Sequence, residues 1–333
     1  VFLRDWELKR RREILFSVSN AAQQQAVKGI STGSYGFDKA LVIGGVPRGR
    51  IVEVYGPPSC GKTTLALHVA AAAQTVGGSA AFIDAEHALD LQYAKNLGVR
   101  VEDLIVAKPE NGEKALAVAL SLVDTGLVEL VIIDSVAALV PERELSAEVG
   151  EDHFGDMEQM MAKGLRKLEL SAFRTGACIL FVNQIRCRFY ETTGDCETTT
   201  GGRPLRFYAA LRMDLSVEAP IVESGNTIGN RVRMRVIKNR AGGAFRSAVT
   251  PLIIGEGFSR ELELLDIACR HAVVEAGHKG FSYQGQPITR MELRKSPSLA
   301  ARLMEEVRVS ARALQLKPVG KVGPGVVASH RMA

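Results

Sequence analysis

The chain has 333 residues, 46% of them hydrophobic and 24% charged, which excludes a disordered chain and supports a substantial core. Lys and Arg number 42 against 37 Asp and Glu, and the formal net charge of +5 fits a polyanionic partner without requiring one. Five cysteines (Cys60, Cys178, Cys187, Cys196 and Cys269) form no C-x-x-C pair, so they read as free thiols of a reducing compartment rather than a zinc site.

Residues 1–28 read as a polar, basic helix and connector. Leu8, Ile14, Leu15 and Phe16 make a narrow apolar stripe beside Lys9 to Arg12, suited to a frayed end or to docking on a neighbouring protomer. The charged opening lacks the apolar stretch of a secretion signal, and no apolar run is long enough to span a bilayer. A cytoplasmic protein without membrane contact is expected.

From 29 to 255 short apolar runs alternate with longer helical stretches. Ile51–Tyr55, Ala80–Ile83, Leu104–Val106, Leu130–Ile133 and Ile179–Val182 are predicted strands. Thr63–Gln74, Glu113–Val123 and Met157–Ser171 are predicted helices. Such alternation gives an α/β fold with a parallel sheet. After Gly202 the pattern changes. Val232, Met234 and Val236 alternate with arginines, as in a half-buried strand, and antiparallel strands are expected to extend the sheet. Residues 256–316 read as a small α+β lobe with helices near Leu262–Glu275 and Pro297–Leu314. Residues 317–333 carry Lys317, Lys321, His330 and Arg331 with no acid and read as a mobile basic tail. No internal repeat is visible.

The strongest motif is Gly56-Pro57-Pro58-Ser59-Cys60-Gly61-Lys62-Thr63, a G-x-x-x-x-G-K-[ST] phosphate loop between a predicted strand and a predicted helix. Gly56 to Thr64 form the predicted cradle. Its backbone N–H groups and the helix N-terminus face an anion. Lys62 is expected to reach the outer phosphates of ATP and Thr63 to ligate Mg²⁺. Asp134 closes the apolar run Leu130–Ile133, where a carboxylate can hold the Mg²⁺ shell, partly through water. Glu86 and Gln184 also follow predicted strands, at the edge where ligand sites of open α/β sheets gather. A carboxylate there can take a proton from attacking water. An amide can detect a γ-phosphate or merely cap a turn.

These residues, with Ile30-Ser31-Thr32-Gly33, Phe82 to Asp90, Asp134 to Leu139, Asn183-Gln184-Ile185-Arg186 and Glu197-Thr198-Thr199-Thr200-Gly201-Gly202, resemble the bacterial RecA recombinase family, in family order. The resemblance implies a P-loop ATPase core that forms helical filaments on single-stranded DNA and exchanges strands with a homologous duplex. It makes Glu86 the catalytic base and Gln184 the link between ATP and the DNA loops. Asp90 and Tyr93 would contact adenine. The neighbouring protomer's Lys238 and Arg240 would face the γ-phosphate. DNA would lie on loops around 147–155 and 185–199, with Arg166, Gly201 and Gly202 on its phosphates; Arg186, Arg188, Arg203 and Arg206 fit a basic lining of the DNA site or a solvated loop face. A damage-response repressor is a further implied partner.

Three features depart from the family. Lys238-Asn239-Arg240 replaces Lys-Asn-Lys, the tail is basic rather than acidic, and Thr193 stands where the second loop carries Phe. Phe189 and Tyr190 are the aromatics available to insert between bases instead. A divergent second copy is one expectation from these differences. The alternatives are a hexameric motor sharing the nucleotide core and a DNA-binding regulator without strand exchange. The motor should lack the Glu-Thr-Thr-Thr-Gly-Gly loop end.

Overall fold

In a computed structural model, residues 28–148, 151, 153, 155–187, 197–223, 225–277 and 280–315 are described. The elements of the first part are β1 (Gly29–Ile30), α1 (Tyr35–Ala40), β2 (Val46–Pro47), β3 (Ile51–Gly56), α2 (Lys62–Thr75), β4 (Ala80–Asp84), α3 (Leu91–Asn96), β5 (Leu104–Ala107), α4 (Gly112–Asp124), β6 (Leu130–Asp134), α5 (Glu142–Ser146), α6 (Asp156–Thr175), β7 (Cys178–Cys187), β8 (Glu197–Thr199), α7 (Gly202–Tyr208), β9 (Leu211–Glu223), β10 (Asn226–Asn239), β11 (Ser247–Ile253) and β12 (Gly257–Phe258). Then follow α8 (Arg260–Arg270), β13 (Glu275–Gly277), β14 (Gly280–Tyr283), β15 (Gln286–Ile288), α9 (Arg290–Lys295) and α10 (Pro297–Gln315).

The apolar runs of β3, β4, β6 and β7 form strands because both sheet faces are covered there, so neither face needs polar side chains, whereas Ile105 and Val106 of the edge strand β5 stay exposed. Successive side chains take opposite faces. Val52, Val54, Phe82, Leu130, Ile132, Leu180 and Val182 join one core with the buried residues of α2, such as Leu65 and Val69. Ile51, Ala81, Ile83, Val131, Ile133, Ile179 and Phe181 join the other, with Leu116 of α4 and Leu165 and Leu168 of α6. A one-residue slip of any of these strands would exchange its two side-chain sets.

The main sheet has ten strands, in the order β12-β11-β10-β9-β3-β7-β6-β4-β5, with β8 paired to β7. From β9 through β3, β7, β6 and β4 to β5 every pairing is parallel; β9 through β12 are antiparallel, as is β7 with β8. The predicted fold class, a mostly parallel α/β sheet extended by antiparallel strands, is the observed one. Val232, Met234 and Val236 are fully buried in β10, as their alternation predicts.

The chain divides into two compact units, one running to Ser259 and one starting at Arg260. The second unit combines α8, α9 and α10 with a three-stranded antiparallel sheet. The expected helix over 262–275 stops at Arg270, and Glu275 opens a strand instead. Ala272 takes a φ of 54°, a left-handed conformation that a helix cannot contain. Residues 1–27 and the tail from 316, including Lys317, Lys321, His330 and Arg331, have no described side chains. Among the described residues, no helix is long and apolar enough to cross a membrane.

Candidate active site and nucleic-acid interface

The C-terminal ends of four adjacent strands, β3, β7, β6 and β4, make the site. Register places Gly56 beside Gln184, Asp134 beside Val182, and Asp84 beside Asp134. The phosphate loop leaves β3 at Gly56, where an added Cβ would lie 2.2 Å from the Leu215 carbonyl oxygen, so only glycine fits. The loop enters α2 at Lys62. Lys62 Nζ donates to the carbonyls of Gly56 (3.0 Å) and Pro57 (2.6 Å), which holds the ammonium over the loop. Cys60 is fully buried, and burial pushes its thiol up, so it fills space rather than reacts. Thr64, in the first turn of α2, shares a 2.9 Å hydrogen bond with the Tyr93 hydroxyl. Asp90 caps α3 by accepting from the Tyr93 N–H at 2.9 Å, so the two predicted adenine-side residues support one another.

Thr63 Oγ1 donates to Asp134 Oδ2 at 2.6 Å, joining the two predicted magnesium ligands. Burial, with the nearby Glu86 and Asp84 charges, pushes the Asp134 carboxyl up to about 6 against the lowering effect of the Thr63 bond and Lys62. Asp84 has a structural task. It accepts the N–H groups of Ala88 (3.0 Å) and Leu89 (3.2 Å), shaping the turn that carries Glu86 to Asp90.

Glu86 and Gln184 are 98 residues apart in sequence, yet Gln184 Nε2 donates to Glu86 Oε1 at 3.1 Å. The Ser135 hydroxyl donates to the same oxygen. Ser135 was not singled out by the sequence; its position directly after Asp134 is the signal that could have found it. Two donors on one carboxylate oxygen orient the group and leave its second oxygen for a proton acceptor's task.

Asn183 connects this edge to the second loop. Its Nδ2 donates to Glu53 Oε1 and to the Thr200 carbonyl, both at 2.8 Å, and its Oδ1 accepts the Gln184 N–H at 2.8 Å. Glu53, fully buried in β3, also pairs with Arg212 of β9. A glutamate inside the apolar run Ile51-Val52-Glu53-Val54 was the available sign of a buried ion pair. Beyond Thr200, Gly201 has φ +87° and a Cβ there would lie 2.9 Å from Val136, two residues past Asp134. The Arg203 N–H donates to Glu158 Oε1 at 3.2 Å, so the end of the second loop rests on the start of α6, where the first loop ends. Arg188, Phe189, Tyr190 and Thr193 lie outside the described residues, as does the side chain of Arg186.

Lys238 and Arg240 are not at this edge. Lys238 pairs with Arg212, and the Arg240 N–H donates to Ala210 O, whose own N–H donates to Ile51 O. Arg240 therefore sits level with the start of β3 and Lys238 level with Glu53, while the phosphate loop leaves the strand's end. From Ile51 to Gly56 the strand rises roughly 16 Å, beyond the reach of an arginine side chain. Lys238 Nζ donates to the carbonyls of Arg206 (2.8 Å) and Phe207 (2.9 Å), and Arg240 Nη2 to Phe207 at 3.0 Å. Burial, followed by the Arg240 and Arg212 charges, lowers the Lys238 pKa. Arg166, exposed on α6, lines a cavity with Arg50 and Arg240.

The RecA N-terminal domain model matches residues 8–259. Protein RecA of Syntrophobacter fumaroxidans is 43% identical over 317 residues, which cover 93% of this chain and 92% of that protein. Protein RecA of Geobacter sulfurreducens is 46% identical over 279 residues, 82% of each chain, and that of Methylococcus capsulatus is 46% identical over 290 residues, 85% and 84%. The chain belongs to the RecA family. It is a DNA-dependent ATPase of recombinational DNA repair. The RecA phosphate loop, Glu86 and Gln184 thus occupy one edge of the sheet, and the cations of the Lys-Asn-Arg segment occupy the other.

Proposed function

We propose that the chain polymerises on single-stranded DNA in the cytoplasm, at the nucleoid, and pairs that strand with a homologous duplex, with ATP held between protomers. In this reading Gly56 to Thr64 cradle the phosphates, Lys62 neutralises the outer ones, and Asp90 and Tyr93 border the adenine. Thr63 and Asp134 would hold a magnesium ion, being two oxygen donors already in contact. The ion supplies charge neutralisation on the phosphates. Glu86 accepts a proton from the attacking water through the oxygen that Ser135 and Gln184 leave open. A neighbour's Lys238 and Arg240 stabilise the charge that develops on the γ-phosphoryl group.

The observation that carries this reading is the hydrogen bond from Gln184 to Glu86. Gln184 stands on β7, which runs directly into the second loop, and Asn183 beside it holds the loop's far end through Thr200. A DNA strand that moves this loop moves the donor on the catalytic base. Arg166, Gly201, Gly202 and the arginines of the second loop bind phosphates, and Phe189 or Tyr190 takes the place of the aromatic that Thr193 lacks. Promotion of repressor cleavage by the assembled filament completes the proposal. ATP turnover with and without single-stranded DNA, together with electron microscopy, tests it. DNA-stimulated turnover and helical filaments are expected; rings, or turnover indifferent to DNA, would contradict it.

A further inference from the structure

Arg166 and Glu169 stand three residues apart on α6, a spacing that puts both on one helix face. With Arg50, Leu170, Phe173 and Arg240 they line a cavity of about 470 Å³. Three of these six side chains are guanidinium groups, and Glu169 is the acid among them. Arg50 is already engaged. Its guanidinium lies 5.1 Å from the centre of the Phe173 ring and donates to Gly49 O at 3.0 Å. Arg240 is held on two sides: Nη2 donates to Phe207 O at 3.0 Å, and Nη1 lies 4.0 Å from Glu169 Oε1. Two anchors at different nitrogens fix the plane of a guanidinium. They could not do so for the single ammonium of a lysine. The Lys-Asn-Arg departure and Glu169 thus meet at one pair of groups.

We propose that Glu169 is a positioning residue that aims Arg240 at the neighbour's phosphates and ties that aim to the occupancy of Arg166 by DNA. The proposal rests on the roles given above to Arg166 and Arg240. Without DNA, the field of Glu169 is divided between two guanidinium groups of the same cavity. A DNA phosphate on Arg166 neutralises one of them and leaves the carboxylate to orient Arg240 alone. Both partners of the Arg240–Glu169 pair are about half exposed, with side-chain exposures of 55% and 44%, so the effect is modest and screened by salt.

The test measures ATP turnover with and without single-stranded DNA for Glu169→Gln, Glu169→Asp, Arg240→Lys, Arg240→Ala and the Glu169→Gln/Arg240→Lys double variant. DNA affinity and thermal melting are followed alongside. Glu169→Gln should lower the ratio of DNA-stimulated to DNA-free turnover about two- to fivefold, with melting, DNA affinity and the KM for ATP retained. Glu169→Asp should recover part of the ratio, and the double variant should be no worse than Arg240→Lys. An unchanged or raised ratio, or strictly additive losses in the double variant, would overturn the proposal. So would a parallel fall of melting temperature and both rates without rescue by Asp. Arg240→Ala with full DNA-stimulated turnover would remove the composite-site reading and this proposal together; an inactive Arg240→Ala beside an unaffected Glu169→Gln would remove Glu169 alone.

Discussion

The two edges of one sheet carry opposite chemistry. At the C-terminal ends of β3, β7, β6 and β4 stand a phosphate loop, three carboxylates (Asp84, Glu86 and Asp134) and the Gln184 amide. Arg240, level with the start of β3, and Lys238, level with Glu53, stand on the other side and donate to the carbonyls of Arg206 and Phe207. The first edge can bind a nucleotide and activate water but carries only Lys62 in its loop against a triphosphate's charge. The second carries two cations and, among the described residues, no phosphate loop. The strand rise between them, roughly 16 Å from Ile51 to Gly56, keeps the halves apart within one chain. In the proposed filament, stacked copies would bring one chain's cationic edge to the next chain's phosphate loop, and assembly and hydrolysis would become one requirement.

The largest effect expected at the first edge is on the base. Glu86→Gln keeps the size of the side chain and removes its proton-accepting charge. It should still bind ATP while turnover falls on the order of 10²–10⁴-fold, the usual contribution of a general base. Lys62→Ala, in contrast, should lose nucleotide binding itself. Near-normal DNA-stimulated turnover in Glu86→Gln would take Glu86 out of its role.

Next comes the buried pair lying between the edges. Arg212→Leu strands the fully buried Glu53 carboxylate, with the Asn183 amide as its remaining donor. Breaking a buried pair from one side costs about 3–5 kcal/mol, to be read by denaturant unfolding. Glu53→Gln in the Arg212→Leu background should recover much of that loss. If Arg212→Leu unfolds like the parent, the network does not hold the sheet centre.

The smaller effect is on pH. Asp134 must be ionised to ligate magnesium, and its carboxyl is pushed up to about 6. The ionised fraction therefore falls about tenfold between pH 7 and pH 5, and magnesium-dependent nucleotide affinity should fall with it. Asp134→Asn should bind more weakly and lose this dependence, any residual fall belonging to the nucleotide's own titration. A flat profile in the parent protein would place the carboxyl well below 6.

Much of the first edge was legible in the sequence because its signals are local. The phosphate loop is contiguous, and Asp134, Glu86 and Gln184 each follow an apolar run whose strand character is unambiguous. The partners of Ser135, Asn183, Glu53, Arg212 and Glu158 were not legible, since each lies 45 to 159 residues away in sequence. The same holds for Glu169, whose helical spacing was visible but whose nearness to Arg240 is a tertiary contact across 71 residues. In the second unit, Val273 and Val274 prolong an apolar pattern past the point where Ala272 breaks α8, which is why periodicity overran the helix end. Lys238 and Arg240 were singled out by resemblance, and only the strand register shows how far they stand from their own phosphate loop.

Mixing two defective proteins tests the composite site most directly. Lys62→Ala removes the loop half of the site and Arg240→Ala the cationic half. In a filament co-assembled on single-stranded DNA, a junction that joins the intact loop of an Arg240→Ala protomer to the intact cation of a Lys62→Ala protomer is complete. ATP turnover should rise above that of either protein alone and peak near equal mixing. No gain at any ratio, with both proteins shown to occupy the same filaments, would contradict it.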